Sequence, residues 1–543
     1  MSSNHRTQSA KALVSLAFRC LAVCLVPACD QLLGLDDYHV QATQPVSGSN
    51  AMAQVPDAAA TTAPGCMKHQ DCMTFASQLA EPSARDASVC VKSTGTCVKL
   101  LSDACQKVTG DYRDDQAIFL GTLFSTSGAQ GSVNRAREQS VILAVDEINQ
   151  LGGIPSAAPA TEARRLVLVS CDEADLRGAG RHLVNDLRVP AIIGPNTSQD
   201  TLDLSNDLTI AAGTLVMSPT AVASSIADLI DADLTWQMVP SDVQRVPLMI
   251  HEINRLELEL RVARKSASLK LAVIYRDDAL GEGTRVALNA LTWNGKALAD
   301  PSNLEMQVRI RPYNPSGVEP ALIDSMRQFA PDVVVLVGTA EAITQGMVPL
   351  ERGWTAPNRP EYVLIESEKT PELLEAVAGD ASLRRRIRGT GALPAARSAQ
   401  INQAFIVSYT ARHPDEASDL FGMGPAYDAT YAIAFSIAAL RGGMISGSTI
   451  ARTLPLLASG GMDVELQSSK TLSAFRALAE GSPISVIGTT APLRWDARGA
   501  VVDGTIELWC ISEAGGKPGY DSSGVSSDLA SDVIQGKYVQ CAP

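Results

Sequence analysis

From about residue 112 the chain repeats one unit: a short run of branched apolar residues, a loop of small polar residues, and an amphipathic helix. A fully apolar strand needs cover on both faces, and helices alternating with such strands supply it. Strand–helix alternation at this spacing therefore predicts right-handed βαβ units around a parallel sheet. The first copy, Ala117–Ile154, is the clearest. Ile118, Phe119 and Leu120 start a buried strand, and Ser125, Thr126, Ser127 and Gly128 form a hydroxyl-rich loop. Val141, Ala144, Val145, Ile148 and Leu151 follow at helical spacing, and Gly152–Gly153 end the helix. A strand feeding a helix through such a loop aims hydroxyls and free N–H groups at one point, which suits a small anionic or polar group.

Further strands are expected at Arg165–Ser170, Pro190–Gly194 and Thr214–Met217, with helices at Ala174–Leu187 and Gln199–Ala212. The alternation then restarts. Helices are expected at Asp242–Leu256, Gly283–Leu291 and Pro320–Phe329, and strands at Lys270–Tyr275, Glu305–Ile310 and Asp332–Val337. Two doubly wound units in series predict an α/β fold of two parallel-sheet lobes with a hinge, preceded by a small disulfide-rich module. Ligands in such sheets bind at the carboxyl ends of the strands. Residues 112–515 make up this body, with one lobe starting at about 112–238, the other at about 239–370, and the remainder crossing between them.

The N-terminus reads as an export signal over residues 1–28. His5, Arg6, Lys11 and Arg19 precede an apolar run, Cys20–Ala28. That run is shorter than the ~20 apolar residues a spanning helix needs. Val26-Pro27-Ala28-Cys29 resembles a bacterial lipobox, which makes Cys29 the expected lipidated N-terminus and a membrane anchor; Pro27 is atypical of that motif. Residues 29–65, rich in Ala, Thr, Pro, Ser and Gly, form the expected tether.

Eight cysteines remain after Cys20, Cys24 and Cys29 are set aside: Cys66, Cys72, Cys90, Cys97, Cys105, Cys171, Cys510 and Cys541. An even number agrees with an oxidising compartment. Residues 66–108 hold the first five and are expected to form a stapled module. His69 between Cys66 and Cys72 allows a zinc reading, but uneven spacing and export favour disulfides. Cys66–Cys90 and Cys72–Cys97 are the expected local pairs, although spacing alone does not fix connectivity.

A formal charge of −14 argues against a nucleic-acid partner. No G-x-S-x-G elbow, H-E-x-x-H or P-loop occurs, and His182, His251 and His413 all fall in helix-like contexts. No catalytic residue, metal or cofactor is expected. Aromatic residues are only 4% of the chain, so a ligand site should rely more on hydroxyls and backbone than on ring stacking.

In order along the chain stand GTLFSTSGAQG (121–131), AVDEINQLGGI (144–154), IGPNTSQDT (193–201), MSPTA (217–221), WQMVPSDVQ (236–244), IYRDDALGEG (274–283), PAYDATYAIA (425–434) and PLRWDARGAV (492–501). Together they resemble the type I periplasmic binding proteins, specifically the branched-chain amino-acid receptors of ABC transporters. The resemblance implies a small-molecule ligand (an amino acid, amide or related solute) and a permease partner. It also places ligand contacts on Ser125, Thr126 and Ser127, on Thr197 and Ser198, and on Ser218, Thr220 and Ala221. Ser198 with Gln199 is an expected helix N-cap, so its hydroxyl can equally serve as a cap. Glu341 stands near the position that holds a ligand ammonium, or is a solvated helix-start glutamate. Two departures bear on the ligand: Val222 replaces a threonine and Leu280 a tyrosine. The family's disulfide joins the end of the second strand to a residue before the third-strand serine. Cys171 matches its first position, but Asn196–Thr197 offers no partner. Cys171 then pairs elsewhere or stays free, and Cys105 is its most economical partner, leaving Cys510–Cys541 to staple a 516–543 tail. A ligand-free lipoprotein of this fold that activates a cell-wall synthase is the alternative function.

Overall fold

Residues 65–73, 87–128, 131–156, 163–467 and 469–542 are described by this computed structural model. The signal segment, Cys29 and nearly all of the tether lie outside them. An antiparallel hairpin, β1 (Ser88–Val91) with β2 (Thr96–Lys99), precedes the first large sheet. That sheet comprises β3 (Lys107–Thr109), β4 (Ile118–Phe124), β5 (Leu166–Asp172), β6 (Ala191–Ile193), β7 (Leu215–Ser218) and β8 (Thr235–Gln237). Its order is β3-β5-β4-β6-β7-β8, parallel except for β3 at the edge.

The strands are apolar throughout because both faces are covered. Leu120, Leu168, Ile193 and Met217 face the helices Gly131–Gln150 and Met423–Ala439. Their neighbours Leu123, Val169, Ile192 and Val216 face the opposite side, where Ala87, Val89, Leu100 and Leu101 join them. The cysteine-rich segment thus packs onto the first lobe and shares its core. Its bridges are Cys66–Cys90 and Cys72–Cys97, and Cys105–Cys171 ties it to β5. The Cys66, Cys72 and Cys90 sulfurs lie close together because the two bridges adjoin. His69 is occupied elsewhere: its Nδ1 accepts the Cys90 N–H at 3.1 Å and its ring meets Phe119 edge-on.

The helix Asp242–Arg264 leads into the second lobe, with β9 (Leu271–Arg276), β10 (Val308–Tyr313), β11 (Val333–Val337), β12 (Glu361–Leu364) and β13 (Ile387–Leu393). The chain returns to the first lobe through the helices Ala399–Arg412 and Met423–Ala439 and the parallel pair β14 (Met462–Glu465) and β15 (Ile484–Ile487). It then crosses once more to β16 (Thr505–Ala514), β17 (Lys517–Asp528) and β18 (Val533–Gly536). The second sheet runs β10-β9-β11-β12-β13-β16-β17-β18, parallel as far as β13 and antiparallel beyond it. The 516–543 segment is therefore mostly sheet, continuing the lobe past residue 515, and Cys510–Cys541 pins its end.

One expected strand differs. Pro301–Met306 is a helix and the strand starts only at Val308. Asp300 caps that helix by accepting the Ser302 N–H at 2.9 Å, and Pro301 stands at its first position, where its missing N–H costs nothing.

Three segments join the lobes, at about 238–241, 393–398 and 488–504, and they are bonded to one another. Ala395 N donates to Thr490 O at 2.8 Å, and Gln237 N to Gly499 O at 3.0 Å. Trp495 Nε1 donates to Gln237 O at 2.8 Å, and its ring packs edge-on against Trp236. The 492–501 motif is this third crossing.

Candidate functional site

The carboxyl ends of the two sheets face each other across a cleft with about 120 Å³ of space open to the centres of water-sized molecules. One water needs roughly 10–15 Å³ by that measure, so the space suits a small molecule. From the first lobe the wall takes Val133, Asn134 and Arg137 on the Gly131–Gln150 helix, Asn196–Ser198 after β6, and Thr220 and Val222 after β7. From the second it takes Arg276, Asp278 and Leu280 after β9, Thr339 after β11, and Ile365–Ser367 with Lys369–Pro371 after β12. Arg245 and the Leu420–Phe421 turn complete it.

Of the residues singled out in the sequence, Thr197, Ser198 and Thr220 come together on this wall. Thr197, one residue earlier than expected, caps the helix Ser198–Leu204 by accepting the Asp200 N–H. The Ser198 hydroxyl accepts from Val222 N and Ala223 N at 3.0 and 3.1 Å, fixing the loop after β7. Thr220 donates to Asn196 O at 2.6 Å.

The others stand off the wall. Ser218 is buried beneath it, donating to Pro195 O and accepting from Ala221 N. Ala221 carries its carbonyl to Gln237 Nε2. Ser125, Thr126 and Ser127 are not part of the wall; Asn134 Nδ2 donates to the Ser125 carbonyl, and Thr126 Oγ1 donates to Asp172. Thr126 and Ser127 line a separate outer depression beside Cys171 and Asp172. Glu341 is spoken for by its own lobe: it accepts from Tyr313 Oη at 3.0 Å, from Thr339 N and Oγ1, and pairs with Arg276 at 3.4 Å. Both Val222 and Leu280 are on the wall.

The N–H groups expected to receive a ligand anion are taken by a carboxyl group of the protein itself. Glu173, just after β5, accepts from Ser125 N at 3.1 Å through Oε2, and from Asn196 N and Thr197 N at 2.9 and 3.3 Å through Oε1. Burial, with Asp200 close by, pushes its carboxyl well above the ordinary range, against the pull of those N–H groups.

Positive charge is what remains open. Arg137, 8% exposed, directs Nε to Phe421 O at 2.8 Å and Nη1 to the Asn134 and Asn196 side-chain oxygens. Burial pulls its guanidinium down to about 10, with Glu173 and Glu366 opposing. Arg245, 7% exposed, directs Nε to Pro240 O and Nη1 to Glu366 Oε2 at 2.9 Å, while its buried Nη2 has no hydrogen-bond partner among the described residues. Both guanidiniums stand over the Phe421 ring, at 5.9 and 5.4 Å from its centroid. Of the four cations on the lining, Arg245 pairs with Glu366, Arg276 with Asp278 and Glu341, and Lys369 with Glu507 at 3.5 Å, which leaves Arg137 without a carboxylate bonded to it among the described residues.

No protein-family model and no curated protein sequence matches the chain. Solved structures do. The substrate-binding protein LivJ of Streptococcus pneumoniae, in complex with isoleucine, is 19% identical, with a TM-score of 0.52 over 75% of this chain and 99% of that one. The leucine-binding protein LivK of Thermotoga maritima gives 13%, 0.53, 75% and 98% in the same order. A solute-binding protein of an ABC transporter from Rhodopseudomonas palustris, in complex with 3,4-dihydroxybenzoic acid, gives 13%, 0.52, 77% and 99%.

The chain has the type I periplasmic binding fold.

Within that fold, sequence reasoning passed over Arg137, Glu173, Arg245, Glu366 and Phe421. The arginines do leave a signal. Arg137 shares a helical stripe with the buried Val141, Ala144, Val145 and Ile148, and Arg245 shares one with Met249, Ile253 and Leu256. An arginine on a core-facing stripe is rare unless a partner or ligand meets it. Arg245 also lies in the first turn of its helix, where the dipole disfavours a cation. Glu173 and Phe421 carry no such mark.

Proposed function

We propose that the protein is an extracytoplasmic solute receptor: a small polar molecule enters the interlobe cleft, the lobes close about the three-segment hinge, and an ABC permease reads the closed state. The observation that carries this reading is a cleft of small-molecule size, lined from both lobes at their strand ends beside the three hinge segments. Binding, not catalysis, is its business, and its neighbours in fold are substrate-binding proteins. Those neighbours bind either an amino acid or an aromatic acid, so the fold alone does not choose a ligand. Four disulfides, which take up all eight cysteines among the described residues, support an oxidising compartment outside the cytoplasm. Anchoring through Cys29 is part of the proposal, and intact-mass analysis of membrane-extracted protein tests it by the lipid it must carry.

Ligand binding stabilises only the state it prefers. A thermal-shift screen with amino acids, amides and small carboxylic acids should give a ligand that at a hundredfold excess over Kd adds about 2.7 kcal/mol. Small-angle scattering should then show a smaller radius of gyration with that ligand. A broad library that shifts nothing refutes the receptor reading.

A further inference from the structure

We propose that the cleft selects a small carboxylate with an apolar body and no ammonium group, gripped between the Arg137 and Arg245 guanidiniums beside Phe421. The inference rests on the receptor reading and narrows its ligand.

Three observations converge. First, the donors are unspent. Among the described residues, Arg245 has a buried Nη2 without a hydrogen-bond partner, and Arg137 bonds only uncharged oxygens, those of Phe421, Asn134 and Asn196. A buried guanidinium facing only neutral acceptors is costly unless an anion joins it. A carboxylate matches the planar fork of a guanidinium and gains strength from the low dielectric of a closed cleft.

Second, the described carboxylates at the cleft are already paired and leave none to receive an ammonium. Glu366 is paired with Arg245 and accepts the Ala392 N–H at 2.9 Å. Asp278 is paired with Arg276 at 2.7 Å and caps its helix through Gly281 N. Glu341 is held by Tyr313, Thr339 and Arg276 away from the wall. An α-amino acid would bring its ammonium beside the Arg137 and Arg245 guanidiniums, to a wall whose described carboxylates are already paired, and would leave it without a carboxylate partner.

Third, the alternative carboxylate seat is taken. The Ser125, Asn196 and Thr197 N–H groups already hold Glu173. Apolar surface from Val133, Val222, Leu280, Ile365, Leu420 and Phe421 covers the rest of the cleft, where an inorganic anion would make no use of it.

The test is calorimetric titration of the purified protein with four matched probes: 4-methylpentanoate, L-leucine (the same skeleton with an amine), 4-methylpentanamide (the same skeleton without charge) and benzoate. The carboxylates should bind at least tenfold more tightly than L-leucine and the amide. Arg137→Gln and Arg245→Gln should each weaken carboxylate binding at least tenfold, and Arg245→Lys should weaken it less than Arg245→Gln. L-leucine binding as tightly as 4-methylpentanoate overturns the inference and leaves the receptor reading intact. So does unchanged carboxylate binding in either glutamine variant with a native circular-dichroism spectrum. If those variants do not fold, the ranking on the unmodified protein still decides. Silence from all four probes, with hits elsewhere in the wider screen, overturns this inference alone; silence throughout overturns the receptor reading with it.

Discussion

Replacing Glu173 by alanine removes the acceptor of three backbone N–H groups drawn from two different loops. Each buried donor left unpaired costs about 1–3 kcal/mol. The three losses share one site and do not add fully. Ser125, Asn196 and Thr197 are also only partly buried, so water relieves some of the cost. A net loss of about 3–5 kcal/mol follows. Glu173→Gln keeps Oε1 for Asn196 and Thr197 and forfeits only the Ser125 contact, so it should lose about 1–2 kcal/mol. Because burial raises the native carboxyl, the folded protein holds a proton that the unfolded chain releases. The wild-type contribution therefore falls as pH rises from the ordinary glutamate value toward the raised one, and the alanine variant should lose more at pH 5 than at pH 8. The vacated N–H groups should also accept an external anion. Acetate or formate should raise the melting temperature of Glu173→Ala more than that of the wild type, following the logarithm of anion concentration. Urea melts at several pH values and calorimetric scans with added acetate measure both effects. An alanine variant within 0.5 kcal/mol of wild type, by the same order-of-magnitude scale, refutes the reasoning. Stabilisation by acetate equal in both proteins removes the anion-hole account.

Breaking Cys105–Cys171 with paired serines releases a loop of sequence separation 66, and chain entropy puts the loss at about 4 kcal/mol in a denaturant melt. A loss below about 1 kcal/mol would show that the unfolded state gains little freedom there. Asp428, buried beside the hinge and accepting from Thr489 N and Oγ1, is pushed up to about 7 by burial. Its native state binds the extra proton, so wild-type stability should fall as pH rises from about 4 to 7, by at most about 4 kcal/mol. Asp428→Asn should flatten that slope, and an unchanged slope in denaturant melts would assign the dependence to other groups.

The alternation of apolar runs and amphipathic helices determined most of the fold by itself. Parallel strands covered on both faces must read as continuous Val, Ile and Leu, as β5 and β11 do, and that signature is local. The disulfide pairs were also within reach, since Cys66–Cys90 and Cys72–Cys97 span short separations and few cysteines compete. The 301–310 segment misled because a proline-led helix of six residues is too short to show a period. At the cleft the balance reverses. A hydroxyl-rich loop after a strand announces donors at a strand end but not what fills them. The answer, Glu173, reaches across 48 residues to Ser125 and across 23 and 24 to Asn196 and Thr197. Arg245 draws its carboxylate, Glu366, from the turn after β12, and Arg137 and Arg245, on different helices, both stand over the ring of Phe421 from a third segment. Periodicity reports which face of a helix is buried. Which charges end up facing each other depends on how two separately folded lobes close around a shared hinge, and only the tertiary structure decides that.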